Sequence, residues 1–282
     1  LLTEQEFNKI ALVSIYKNGR DTSVPQNKLL NLLEKKYSKN RIEQFSFFAQ
    51  TYKNNILKEA EKTERSRSFL FLCHGIALAH SLGPGIPLYV PENGFISLNV
   101  PLTDTRICSL STRTNHPYFL SLFKELLSKL DIHNEIFNPY EFSTKGEMII
   151  NSKDLNFLNR NANKSMSCAH PTKGGWGTKL KHCGYCIPCI IRRAAMYKAD
   201  LDNKKNYRHD ILSDTISPKL KSGQDIRALL MMINRQKNRT LPSIFEVLTS
   251  GPLPGIAENK KKYVEVYEKS IKEIKFFLEQ YE

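Results

Sequence analysis

The sequence predicts an α/β protein, a parallel sheet wrapped by helices, with a helical annex behind it. Three observations carry this. Strand-like and helix-like segments alternate up to about residue 150. Beyond about residue 190, every periodic segment repeats at helical spacing. Between the two regimes, four of the six cysteines crowd into residues 168–189. The expected units are an α/β domain over residues 1–150, a zinc-binding segment over 151–198 and a helical C-terminal region over 199–282.

The elements follow in order. The first residues read as a helix end, followed by the strand "KIALVSIY" (9–16). "QNKLLNLLEKKYSK" (26–39) has apolar residues at helical spacing, and "IEQFSFFAQ" (42–50) alternates like a strand. "SRSFLFLCHGIALAHSLG" (66–83) is an apolar helix closed by Gly83, and "GIPLYV" (85–90) a short buried strand. "HPYFLSLFKELLSKLDI" (116–132) is an amphipathic helix with Pro117 in its first turn, where a missing N–H is harmless. Residues 151–165 are polar and expected to be loops. Helices follow over 187–200, 223–236, 242–250 and 262–281. The last sets Val264, Val266, Tyr267, Ile271, Ile274 and Phe277 roughly on one face.

The charge is +14, from 42 Lys+Arg against 28 Asp+Glu. Such a field attracts polyanions: nucleic acid, nucleotides or an acidic partner protein. A solubilising surface would give the same count. No apolar run approaches the roughly 20 residues of a membrane span, so no membrane partner is expected. Clustered cysteines in a chain of this size point to a metal in a reducing, cytoplasmic setting rather than to a disulfide framework.

Cys168, Cys183, Cys186 and Cys189 form C-x14-C-x2-C-x2-C. Zinc favours four soft ligands in a tetrahedron. Gly184 allows the tight backbone that brings a third sulfur in. Pro188 starts a helix, so Cys186 and Cys189 lie near its N-terminus, which favours thiolates. Four protein thiolates leave no open position, so the zinc reads as structural. Redox thiols or an iron–sulfur cluster would use the same residues. His170 and His182 are nearby spare ligands, expected at the surface. Cys73 lies in an apolar helix and reads as core; Cys108 stands alone.

A structural ion does not name a chemistry, so the strand ends matter more. "ERSRS" (64–68) puts Arg65, Ser66 and Arg67 at a helix start, where they would hold an anion, preferably phosphate; plain capping explains the same residues. "VPENGFISLN" (90–99) puts Glu92 and Asn93 at a strand's carboxyl end, where ligands bind in open α/β sheets. There Glu92 could hold a metal or a base edge and Asn93 could read an amide; an ordinary Asn-Gly turn is the alternative. "STRTNHP" (111–117) offers Arg113 and His116 to an anion or a nucleotide, or simply caps the next helix.

Together with "STKGEM" (143–148) and "CGYCIPCIIRR" (183–193), these stretches resemble the 7-cyano-7-deazaguanine synthase (QueC) family. More closely, they are similar to the QueC-like proteins of bacterial anti-phage defence operons of the Qat type. The resemblance covers roughly residues 8–198. It rests most firmly on Cys183, Gly184, Cys186, Cys189 and Arg192 of the zinc signature, and on Thr144–Glu147. It implies a Rossmann-like PP-loop ATP pyrophosphatase fold, of the adenine nucleotide alpha hydrolase-like kind. It implies an ATP-dependent ligase, with ATP and Mg²⁺ as cofactors, that adenylates 7-carboxy-7-deazaguanine and forms an amide or nitrile. Within it, Arg65, Ser66 and Arg67 would meet phosphate, Glu92 and Asn93 the base or metal, and Arg113, His116 and Lys145 anionic groups. Lys145 and Glu92 are the candidate catalytic pair.

The departures from the family are definite. Its serine–glycine–glycine–x–aspartate–serine ATP loop is absent from these 282 residues. "LLTEQEF" reads as the tail of the helix that follows that loop, so an upstream segment carrying it is expected. The loop between Cys168 and Cys183 is longer than in the housekeeping enzyme, and its Gly174–Gly177 run would serve as a lid or a partner contact. In a defence setting the amine could belong to a partner protein of the same operon, docked on the basic surface. The alternative reading is a catalytically inactive module on the same fold that binds a nucleobase, a nucleic acid or a partner.

Overall fold

The computed structural model describes residues 9–16, 23–49, 66–102, 115–169, 181–213, 223–238 and 240–280. Strand β1 (Ile10–Tyr16) pairs in parallel with β2 (Ile42–Phe48), from Ile10 opposite Ile42 to Tyr16 opposite Phe48. Helix α1 (Ser23–Tyr37) connects them, as a parallel pair requires. At the far end the Tyr16 and Phe48 rings lie 5.5 Å apart, one of the cross-strand aromatic contacts that set register.

Helix α2 (Arg67–Leu82) ends at Gly83, whose φ of 147° lets its N–H reach the carbonyls of Ala79 and His80. Strand β3 (Leu88–Tyr89) pairs in parallel with β4 (Ile136–Phe137). The short helix α3 (Gly94–Leu98) and then α4 (Pro117–Lys129) fall between them in the chain. Leu72 and Ile76 of α2 pack with Leu120, Phe123 and Leu127 of α4 and Ile136 of β4. The α/β class with parallel pairing therefore holds. Among the described residues each sheet has two strands.

The segment 151–165 corrects the expectation of loops. Helix α5 (Lys145–Ile150) precedes it, and α6 (Leu155–Asn161) lies within it, followed by a 3-10 turn at Ala162–Lys164. Asp154 starts α6 by accepting the Phe157 N–H at 2.7 Å. Lys36 of α1 pairs with Asp154, and its ammonium sits 4.5 Å from the Phe157 ring centroid, which ties α6 to the first βαβ unit.

The largest apolar core belongs to the later helices: α7 (Ile187–Lys198), α8 (Gln224–Lys237), α9 (Ser243–Leu248) and α10 (Ala257–Leu278). Val266, Tyr267, Ile271, Ile274 and Phe277 of α10 are buried in it, and Val264 is partly buried against it. Helix α10 begins before the expected residue 262. Its added turn, "AENKK", is exposed and supported by a Glu258–Lys262 pair at 3.0 Å. Phe95 and Leu98 of α3 enter the same core, so the early chain and the C-terminal helices share one interior. No described helix is long and apolar enough to cross a membrane.

Candidate metal centre

The Sγ atoms of Cys168, Cys183, Cys186 and Cys189 all lie within 4.8 Å of one another. Cys168 to Cys186 is 3.9 Å and Cys183 to Cys189 is 3.8 Å. These are far beyond the bonded distance of about 2.05 Å, so the sulfurs are not paired as disulfides. They suit an ion instead: metal–sulfur bonds of about 2.3 Å put the corners of a tetrahedron about 3.8 Å apart. Four cysteines placed in this way could hold a metal ion such as zinc.

Local sequence builds the cage. Gly184 stands at φ 91°, and a Cβ there would lie 2.0 Å from the His209 carbonyl oxygen. Only glycine allows both the left-handed backbone and the close approach of residues 207–209. The Cys183 N–H donates to Cys168 Sγ at 3.3 Å, and the Cys186 N–H to Cys183 Sγ at 3.4 Å. Cys186 is the N-cap of α7, with Pro188 in the first turn. Asp225 at the start of α8 accepts the Ile187 N–H at 3.0 Å. Three of the four cysteines are fully buried and Cys168 is half-buried. Hydrogen bonds from Cys183, Cys186 and Cys189 hold the Cys168 thiol well below the ordinary range. The Cys189 thiol, bonded to Cys168 and crowded by the other two, is pushed up. Four thiolates this close would repel one another, and a bound cation would offset that repulsion.

His182 corrects its expected place at the surface: it is 2 % exposed. Its Nε2 lies 3.0 Å from the Ser165 carbonyl, and its backbone forms an isolated bridge with Tyr207. Burial and the charge of Arg192 hold its pKa below the ordinary value. His170 and the Gly174–Gly177 run lie outside the described residues, as does Cys108. Cys73 is partly buried on α2, against the core of that helix and α4.

A second cluster forms beside α7. The loops after β3 and β4 leave the carboxyl ends of two parallel strands. They meet where the Glu92 N–H donates to Asn138 Oδ1 at 3.2 Å. Asn93 is fully buried and caps α3. Its Oδ1 accepts the Ile96 N–H, and its amide nitrogen donates to Glu92 Oε1 at 2.7 Å. Lys145 opens α5 behind a capping box made by Thr144 and Glu147. Burial pushes the Lys145 pKa below the ordinary lysine range; Glu92 pulls the other way, and Arg192 adds to the fall. Asn93, Lys145, Ser270 and Glu273 share a cavity of about 10 Å³ floored by Ile191 and Ala194 of α7. The helix headed by the cysteines is thus the floor under Asn93 and Lys145, with Glu92 bonded to Asn93.

The other expected residues stand apart from this cluster or outside the described residues. Arg65 and Arg113 are outside them. Ser66 is exposed and precedes α2 without a side-chain capping bond; Arg67 is exposed, its guanidinium 6.0 Å from the Phe71 ring centroid. His116 is buried and caps α4, its Nδ1 accepting the Tyr118 N–H and its Nε2 lying 3.1 Å from Ser250 Oγ.

Two groups that sequence reasoning missed hold α7 in place. Glu273 of α10 accepts bonds from Thr144 Oγ1, from the Gly146 N–H at 3.2 Å and from Lys198 at 2.7 Å. Arg193 is 2 % exposed, and its guanidinium reaches both Asp202 and Asp210. Two adjacent arginines inside an otherwise apolar helix were the available signal for the second group. Compared with known proteins, the chain matches no family model, no curated protein and no solved structure.

Proposed function

We propose that the chain is an ATP-dependent ligase of the 7-cyano-7-deazaguanine synthase kind, acting on the carboxylate of a 7-deazaguanine. One observation carries this reading: Asn93 and Lys145, drawn from two of the motifs behind the resemblance, line one cavity against the helix that the cysteine signature begins, with Glu92 bonded to Asn93 and its charge felt at Lys145. In the proposed reaction a carboxylate oxygen of 7-carboxy-7-deazaguanine attacks the α-phosphorus of ATP, and the bond to pyrophosphate breaks. An amine then attacks the activated carbonyl and AMP leaves. A carboxylate is a poor electrophile, and AMP is the better leaving group that the first step supplies.

Lys145 suits the anionic side of this chemistry. Among the described residues its amine makes no hydrogen bond or ion pair, so an incoming carboxylate or phosphate would find an unengaged cation. Glu92 would take the proton that the attacking amine releases. Zinc stays outside the reaction, because four thiolates close its coordination. Its part is to fix the start of α7. The amine is ammonia or, in a defence setting, an amino group of a partner protein drawn to the basic surface.

The test is pyrophosphate release by the full-length protein with ATP, Mg²⁺ and 7-carboxy-7-deazaguanine. Release that requires the deazaguanine supports the ligase. Its absence, together with salt-sensitive binding to DNA or RNA, would replace the ligase by a recognition module on the same fold.

A further inference from the structure

A second cavity, of about 110 Å³, opens on the other side of α7. Its walls come from Arg192 and Met196 of α7, from Asn159 of α6 and Asn163 just after it, and from Asp202, Asn206 and Tyr207 of the segment after α7. The volume exceeds several water sites, each needing roughly 10–15 Å³ on such a measure.

One buried carboxylate oxygen is left without a partner there, and a buried arginine lines the same cavity. The Asp202 side chain is 9 % exposed. Its Oδ2 accepts Arg193 Nε at 3.0 Å and Nη2 at 2.8 Å. Its Oδ1 is buried and has no hydrogen-bond partner among the described residues. Such an orphan acceptor is costly unless something donates to it. Arg192 is 8 % exposed. Its Nη1 donates to Ser165 Oγ at 2.9 Å, and its Nη2 to the Ala162 carbonyl. Among the described residues no carboxylate pairs with it, and not all five of its N–H groups are used.

We propose that this cavity is a binding site for a small neutral molecule with an amide-type edge, a primary carboxamide or a urea. The chemistry selects that class. The Asp202 Oδ1 needs a donor, and the Arg192 guanidinium has N–H groups left to give to an acceptor. A simple anion would satisfy the first and be repelled by the second; a simple cation would fail the other way. A carboxamide carries one C=O and one NH₂ side by side, and the asparagine walls can bond to either.

The site is also tied to the cysteine cage. Arg192 holds Ser165, three residues before Cys168, and lies within reach of Ser167 at 3.5 Å. Tyr207, a wall of the cavity, packs against the buried cysteines. Stripping the ion would loosen both walls, so the two sites are coupled.

The experiment uses the metal-loaded full chain and NMR titration with acetamide. Acetate and acetamidinium serve as charged probes of the same size. Acetamide is expected to give saturable shifts at residues 159–163 and 201–207. The two ions are expected to bind more weakly by on the order of tenfold. Asp202→Asn presents a donor instead of an acceptor and is expected to weaken acetamide by a similar factor. If that variant does not fold, Asn206→Leu tests the same wall without touching the Arg193 pair and is expected to weaken acetamide as well. Chelation of the metal is expected to abolish the shifts. No saturable response to acetamide, equal responses to all three probes, or unchanged binding by a folded variant would each overturn the proposal. A cavity holding water alone would show the first of these.

Discussion

Arg193 Nη1 donates to Asp210 Oδ1 at 2.7 Å, and this buried contact pins the segment after α7 back onto the helix. The same guanidinium bonds Asp202 and lies 5.0 Å from the ring centroids of both Tyr207 and Phe277. Segment 202–210 therefore closes over the cysteines, while Phe277 joins the contact to α10.

Breaking this ion pair leaves two carboxylates buried without their cation. Arg193→Met is expected to destabilise the fold by about 3–5 kcal/mol in denaturant titration at neutral pH. A loss below about 1 kcal/mol would show that the cluster is incidental.

The same pair sets an acid limit. Burial works to raise the Asp210 pKa, but its bonds from Arg193 and the Leu212 N–H prevail and hold it below the ordinary range. A depressed carboxylate pKa adds stability that is full above the unfolded value, about 3.9. That stability is lost as pH falls through the lower folded value. Wild type is expected to lose stability below about pH 4 more steeply than Asp210→Asn, measured by unfolding free energy against pH. Parallel curves would contradict this.

Gly184→Ala is expected to cost about 2 kcal/mol or more, since alanine meets both a positive φ and the His209 carbonyl. The loss should appear together with weaker retention of the metal against a chelator. A variant with unchanged retention would place the turn outside the cage's energetics.

Lys145→Met separates stability from activity. The folded amine binds its proton less tightly than the unfolded one, so its charge destabilises the fold at neutral pH. That cost fades as pH rises through the lowered folded value toward the ordinary 10.4. The variant is expected to be at least as stable as wild type at pH 7, with any advantage shrinking in alkali. Deazaguanine-dependent pyrophosphate release should fall by on the order of 10²-fold. A variant that unfolds, or one that keeps full activity, would remove Lys145 from the proposed chemistry.

The legible parts were those with local causes. Cysteine spacing, Pro188 and Gly184 announce a sulfur cage because all three act within one turn of chain. Helices α4, α7 and α8 and the face of α10 follow from apolar period alone. Helix α6 was missed because "LNFLNRN" holds only three apolar residues and reads as polar. The Asp154 cap ahead of it was the readable signal. His182 was misplaced because a histidine beside a cysteine looks like a spare ligand. Its burial depends on residues 207–209 folding back, which no local pattern shows. Glu273 bonds Gly146 across 127 positions, and such pairings are fixed only when helices pack. The parallel order of β1 and β2 followed from a strand–helix–strand alternation. How far the sheets extend was not written in any single segment.

The four sulfurs that open α7 are placed to hold one ion. X-ray absorption at the metal edge of the purified full-length protein measures this directly. The expected spectrum is one zinc per chain with four sulfur neighbours at about 2.3 Å and no nitrogen or oxygen shell. A protein purified without stoichiometric metal, or a shell containing oxygen or nitrogen, would contradict a closed thiolate cage at Cys168, Cys183, Cys186 and Cys189.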